Sequence, residues 1–257
     1  MSHSQNNVIG DTNPSGESIF RNENNIERIN RTNISGTYLF GEYTQVGMAT
    51  NFQEKYRQTL SGASEANRGF GDLTLFSAYE FLPDLSYSAY RPRGFVTMEI
   101  NVPTSPSVHD SESLMATDTR GSGFYSLSVG THWLKVIGEH SLASFQKVKI
   151  SRKEKFNNQL IAPGPEYSIG FSYSHLFLKS FSWSLGLTFQ YKTGKEVNNN
   201  GIKESEYFVD TELGLSYQIS DDWGASLNYL DQTLMGPAKN TTLSRQINLG
   251  ITRYFSL

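Results

Sequence analysis

The stretch Phe181-Ser-Trp-Ser-Leu-Gly-Leu-Thr-Phe-Gln-Tyr-Lys-Thr193 decides the fold. Its odd positions, Phe181, Trp183, Leu185, Leu187, Phe189 and Tyr191, are large and apolar, while Ser182, Ser184, Gly186, Thr188, Gln190 and Lys192 between them are small or polar. Successive side chains of a strand point to opposite faces, so this is a two-faced strand. Its apolar face carries rings at both ends and aliphatic residues in the middle. That order suits a bilayer, whose two interfaces favour amphipathic rings. Taken alone, the strand fits a half-buried position in a soluble β-sandwich equally well. In the membrane reading Trp183, Leu185, Leu187, Phe189 and Tyr191 face lipid.

The neighbouring sequence repeats the pattern. Leu73, Leu75, Tyr79 and Phe81 share one face, with Asp72, Thr74 and Glu80 on the other. Between residues 87 and 102, Tyr90, Val96, Met98, Ile100 and Val102 oppose Arg91, Arg93, Thr97, Glu99 and Asn101. Tyr125, Leu127, Val129 and Trp133 oppose Ser126, Ser128 and His132; Tyr167, Ile169, Phe171, Tyr173 and Phe177 oppose Glu166, Ser168, Ser172 and Ser174. In 205–219, Tyr207, Val209, Leu213, Leu215, Tyr217 and Ile219 oppose Glu206, Asp210, Glu212 and Gln218. Strands over 223–235 and 243–257 complete the series. Residues 141–152 show no clean phase, which is the expectation for a β-bulge.

The connections alternate in length. Short links at 83–86, 137–139, 179–180 and 220–222 are interleaved with long ones at 103–122, 154–164 and 194–204. Outer-membrane barrels place short turns on one rim and long loops on the other, and a Greek-key sandwich has no reason to do so.

Composition agrees. The chain has 257 residues, of which 37% are hydrophobic and 13% aromatic, and a mean hydropathy of -0.44. Only alternate residues of a membrane strand meet lipid, so such a barrel looks polar on average. No apolar run of about 18 residues exists to form a membrane helix. A net charge of -3 with scattered basic residues argues against a nucleic-acid partner, and the absence of cysteine excludes disulfides and thiolate chemistry.

Nine strands are visible from Gly69 onward, and single-chain bacterial barrels have an even number. Three more, near 24–33, 36–46 and 50–60, make an all-β, antiparallel, up-and-down transmembrane barrel of twelve; one more makes ten. Residues 1–23, rich in Asn, Ser and Glu, read as a polar leader, mobile or folded into the lumen as a plug, with the barrel over 24–257. The N-terminus lacks the basic and apolar regions of a secretory signal.

Asn67-Arg-Gly-Phe-Gly-Asp-Leu-Thr-Leu75, then Glu99-Ile-Asn-Val-Pro-Thr104 and the strand opening at Gly121-Ser-Gly123, resemble motifs of the outer-membrane family named for the meta-cleavage pathway of phenol degradation. The resemblance covers residues 36–257. It implies a porin-like barrel in the bacterial outer membrane that passes small, often hydrophobic or aromatic, compounds through a lumen or a lateral opening. The expected surroundings are outer-membrane lipids including lipopolysaccharide, and the barrel-assembly machinery during insertion. Ile247, Leu249, Ile251, Phe255 and Leu257 share a phase like that of the C-terminal assembly signal, interrupted by Arg253.

The lumen-lining candidates are Asp72, Thr74, Glu80, Arg91, Arg93, Glu99, Glu166, Thr188, Gln190, Lys192, Asp210 and Glu212, with Asp72, Arg91, Arg93 and Glu99 expected to form one network. A salt-bridged, hydrated interior without a specific ligand is the plain alternative, and a structural or surface-interaction barrel with a blocked lumen is the functional one. No Ser/His motif surrounds His3, His109, His132, His140 or His175, so catalysis is not expected. Neither a metal site nor a cofactor is expected: Asp210/Glu212 and Asp110/Glu112 read as solvated pairs, and Gly69-Phe-Gly-Asp72 lacks the rest of a nucleotide motif. His132 is expected in the lumen and His175 on the membrane side.

Overall fold

The computed structural model describes residues 1–84, 88, 90–198, 200–202, 204–236 and 238–254. In chain order its strands are β1 (Ser2–Thr12), β2 (Ser18–Phe20), β3 (Ile26–Phe40), β4 (Thr44–Gln58), β5 (Ser64–Phe70), β6 (Leu73–Leu82), β7 (Arg93–Val102), β8 (Ser126–Ile137), β9 (His140–Ser151), β10 (Glu154–Phe156), β11 (Gln159–Ala162), β12 (Glu166–Phe177), β13 (Phe181–Lys192), β14 (Glu196–Val197), β15 (Asn200–Ile202), β16 (Glu206–Ser220), β17 (Trp223–Asp231) and β18 (Thr242–Arg253). The barrel wall runs β1-β3-β4-β6-β7-β8-β9-β12-β13-β16-β17-β18, each strand antiparallel to the next, and β18 pairs back onto β1. This is a closed, up-and-down barrel of twelve strands. β5 continues β6 along the upper part of β4, and β10, β11, β14 and β15 form a separate small sheet in the long connections.

Burial is inverted relative to a water-soluble domain. Among the described residues the buried polar side chains include Ser4, Gln53, Asp72, Glu80, Ser126, Ser128 and Asp210, whereas Met48, Leu75, Val96, Met98, Leu127, Val129, Ile169, Leu213, Leu227, Ile247 and Leu249 are exposed. A continuous apolar outer wall of this extent would be an aggregation site in water and is a solvent match in lipid. Rings gather toward the ends of the strands. Phe177 and Phe181 meet edge to face at 4.7 Å near the β12–β13 turn, while Tyr167 and Tyr191 lie 6.4 Å apart at the other end.

Trp183, Leu185, Phe189 and Tyr191 are exposed on the outer face of β13, and Leu187 shares that face. Thr188 sits opposite Gly170 and Asp210 on the inner face.

Two expectations about the N-terminal third are corrected. Residues 2–12 are not a leader or plug: β1 pairs with β18 from Ser2↔Gly250 to Asp11↔Thr242 and with β3 from Ser2↔Asn33 to Val8↔Glu27. The weak segments near 24–33, 36–46 and 50–60 are two strands, β3 and β4, each 15 residues long and in register from Ile26↔Gln58 to Phe40↔Thr44. The total of twelve stands because β1 replaces the strand lost. β1 escapes a periodicity reading because both its faces are polar. His3, Gln5 and Asn7 point away from Ser2, Ser4 and Asn6, so nothing alternates. Its outward groups find partners in the same wall: His3 Nδ1 lies 3.0 Å from Thr32 Oγ1, and Arg28 Nε donates to Asn7 Oδ1 at 3.3 Å.

β9 holds continuous register with β8 and β12, so no bulge interrupts it. Its phase is blurred because Ser144 and Gln146 face outward while Ala143 and Phe145 face inward. Phe255 and Leu257 lie outside the described residues.

The assigned faces predict unequal effects of one substitution on adjacent residues. Leu187→Arg is expected to cost about 2–4 kcal/mol at the bilayer midplane and to reduce the heat-modifiable, membrane-assembled form on electrophoresis. Thr188→Arg is expected to assemble normally; equal loss in both would refute the phase.

Candidate functional site: the barrel lumen

The site is organised by Asp72. Phe70 faces Phe52 and Thr74 faces Ala49, so the three residues Gly71, Asp72 and Leu73 stand opposite only Thr50 and Asn51. This is a β-bulge, and it turns Asp72 inward while Phe70 and Leu73 keep their outward phase. Gly71 lies so close to the Asn51 side chain that a Cβ there would come within 2.5 Å of Oδ1. The Gly-Asp of the motif is therefore a wall kink with a carboxylate at its tip.

That carboxylate, nearly buried, accepts six hydrogen bonds. Oδ1 takes the Ser105 hydroxyl at 2.8 Å and the amides of Thr104 and Ser105 at 3.2 and 3.3 Å. Oδ2 takes the Ser122 amide at 2.8 Å, the Ser122 hydroxyl at 3.2 Å and Asn101 Nδ2 at 3.2 Å. Both ends of the long connection 103–125 are thus tied to one side chain. Gly121 packs on it so tightly that an added Cβ would lie 2.2 Å from Oδ1.

The connection folds inward rather than out into solvent. Inward-facing residues of β4 and β5 hold it along the wall. Gln53 Nε2 donates to Arg120 O at 3.0 Å, Lys55 Nζ to Ala116 O at 3.2 Å and Arg57 Nη1 to Met115 O at 3.2 Å, and Glu65 accepts from the Met115 amide at 3.2 Å. Ser107 and Thr117 within it are fully buried. Its far side meets the small sheet, where His109 stacks on Phe156 at 4.7 Å and both rings contact Phe124.

Two cavities flank the folded connection. An outer vestibule of about 770 Å³ is lined by His109, Phe124, Ile161, Lys192, Lys195 and Glu206 among others. A deeper cavity of about 600 Å³ is lined by Arg31, Gln53, Lys55, Asp72, Glu99 and Lys147 among others. Ser122, Lys149 and Glu166 line both, so the two cavities adjoin there. Farther along β7 to β9 the inner face turns apolar. His132 stacks on Phe145 at 5.4 Å, and Ala78, Phe95, Leu134 and Ala143 line a smaller cavity of about 350 Å³.

The structure brings most of the sequence-derived residues to the inner face but not into the expected network. Arg93 forms a two-pronged pair with Glu80 at 2.7 and 2.9 Å. Glu99 pairs instead with Lys147 on β9 at 3.3 Å, and Asp72 serves the connection. Arg91 lies exposed before β7 begins, and its carbonyl accepts from Lys135. Thr74 donates to Asn101 at 3.2 Å, Glu166 pairs with Lys149 at 3.1 Å, and Lys192 pairs with Glu206 at 3.2 Å. Asp210 accepts from Gln190 at 2.7 Å and Gln232 at 2.9 Å, with Glu212 one inward step away. His132 lies on the inner face, and His175 stacks on His140 outside. Arg31, Gln53 and Lys55 were not anticipated because their strands had no assigned phase. Lys147 and Lys149 were hidden by the blurred pattern of β9.

Replacing Asp72 by Ala is expected to free the connection while the barrel still assembles, raising the rate of limited proteolysis within residues 103–125 of the folded, heat-modifiable barrel severalfold. His109, outside the membrane wall, is held below the usual histidine range by burial between rings and by the nearby Lys195. Its neutral form is the one that packs, so its contribution is present above the unfolded value of about 6.5 and is lost as pH falls through the lower folded value. Cleavage within residues 103–125 should accordingly become faster on acidification from pH 8 to 5 with a protease of flat pH profile, and His109→Phe should flatten that dependence.

No family model matches the chain, and no curated protein matches it. Solved structures do. A crystal structure of an outer membrane channel from Pseudomonas putida F1 superposes with a TM-score of 0.76 over 99% of this chain and 95% of that one, at 10% identity. The transport unit of the autotransporter AIDA-I from Escherichia coli gives 0.52 over 99% and 88%, at 10% identity, and the NanC porin gives 0.51 over 99% and 100%, at 9%. At these identities the likeness is one of fold: the chain has the architecture of outer-membrane barrels.

Proposed function

We propose that this protein is a passive outer-membrane channel for small molecules. The observation that carries the proposal is the pair of cavities inside the closed wall, adjoining at Ser122, Lys149 and Glu166 and lined by charged and hydroxyl groups. A wet, charged interior of this kind admits solutes and sorts them by charge and size. The channel or porin character of two of the barrels it superposes on is consistent with this reading. Small hydrophobic or aromatic compounds, the class implied by the Asn67–Leu75 motif, would meet the apolar inner surface around Phe95, His132 and Phe145 after the polar passage. Lipopolysaccharide and phospholipid would contact the outer wall.

A second reading has its own support. The Asp72 anchor holds residues 103–125 inside the barrel, as a barrel with a blocked lumen and a surface role would require.

Planar-bilayer recording separates the two. A channel is expected to show discrete conductance steps that grow in Asp72→Ala. Silence of both the native protein and that variant, with assembly confirmed by heat-modifiable migration, would sink the channel reading and leave the blocked barrel.

A further inference from the structure

The charges of the deeper cavity do not balance. It is lined by five cations, Arg31, Lys55, Arg120, Lys147 and Lys149, and three carboxylates, Asp72, Glu99 and Glu166. Lys147 and Lys149 are matched by Glu99 and Glu166, and Asp72 is consumed by neutral donors of the connection. The excess lies on the β3–β4 wall. There Glu27 is shared by Lys55 at 3.8 Å, Arg57 at 4.0 Å and Arg21 at 2.9 Å, and Arg21 has a second carboxylate in Asp11 at 3.1 Å. Arg120 spends its guanidinium on neutral oxygens, Phe70 O at 3.3 Å and Asn67 Oδ1 at 2.8 Å.

Arg31 has nothing. Among the described residues no hydrogen bond or ion pair reaches its side chain, and its buried Nε has no acceptor. Its partners across the ladder are Ser4 and Gln53, both buried and both neutral, and Ile29 precedes it by two residues on the same inward face. Partly buried guanidinium groups ordinarily meet a carboxylate or phosphate, because leaving charge unpaired away from water is costly. In a chain of net charge -3, a lumen wall with a surplus of cations and one unmatched arginine is a selective feature rather than a reflection of composition.

We infer that Arg31 is the anchor of a binding site for a small organic carboxylate in the deeper cavity. The planar fork of a guanidinium matches the two oxygens of a carboxylate in a bidentate pair. Lys55 and Arg120 add attraction from the same side, and Ile29 offers the one apolar contact among the side chains of that cavity. A single unmatched fork beside an aliphatic side chain fits a monocarboxylate with a short carbon chain better than a phosphate dianion. The inference rests on the channel reading for its purpose, since it names the solute class that the passage would favour, but the site can be measured without it.

Calorimetric titration of the detergent-solubilised barrel with butyrate, the neutral isostere butyramide and inorganic phosphate tests it. Butyrate is expected to bind and butyramide not, with Arg31→Gln weakening butyrate by about tenfold or more, as loss of charge-assisted bonds implies. Arg31→Lys should retain part of the affinity. Equal binding of butyrate and butyramide, tighter binding of phosphate, or an Arg31→Gln protein that migrates as a folded barrel and binds butyrate unchanged would each overturn the site. Should Arg31→Gln fail to assemble, the butyrate-against-butyramide difference in the native protein still decides. Butyrate binding without bilayer conductance would keep the site and remove the channel; conductance without butyrate binding would do the reverse.

Discussion

Everything in this molecule depends on backbone amides having no water to turn to. A sheet in hydrocarbon leaves several kcal/mol of unmet hydrogen bonding at each exposed edge group, so the edges must find each other. Here they do so through β1 and β18, paired over nearly the whole length of β1. The requirement is satisfied by backbone alone, which is why a strand as polar on both faces as Ser2–Thr12 can serve. Its side chains do not drive it into the membrane. The ladder on either side recruits it.

Once the wall is closed, the inside becomes a compartment with its own rules. Inward groups are shielded from bulk water and face one another across a narrow space, so charges pair between neighbouring strands: Glu80 with Arg93, Glu99 with Lys147, Glu166 with Lys149, Lys192 with Glu206. The bulge at Gly71–Asp72 breaks the regular wall at one point and uses the extra residue to gather the long connection inward. A single carboxylate with six donors thereby divides a wide barrel into two adjoining cavities. The inner wall then runs from a charged upper region to the rings of Phe95, His132 and Phe145.

Much of this was legible in the chain where alternation is strict. The two faces of β13, the inward Glu166, Gln190, Lys192 and Asp210, and the alternation of short and long connections follow from a period of two, because in a barrel each side chain has only two places to go. Where the outward face contains Ser144 and Gln146, or the inward face Phe145, the period fades and the strand still forms, since its ladder is made by its neighbours. The reading of 24–60 as three strands rather than two failed for the same reason. The chain runs unbroken through 34–35 in register with β4 and turns at 41–43 instead.

By itself the sequence determined the class of fold and which residues of the periodic strands point inward, because those depend on side-chain polarity along one strand. Only the tertiary structure decided which strand closes the barrel, which partner each charge takes and that Arg31 meets no carboxylate among the described residues. Those outcomes depend on strand register and on the path of a long connection across the lumen. Neither is encoded in the neighbourhood of the residues concerned: Asp72, Arg31 and Ser122 acquire their roles from groups dozens of positions away, brought together by closure of the wall.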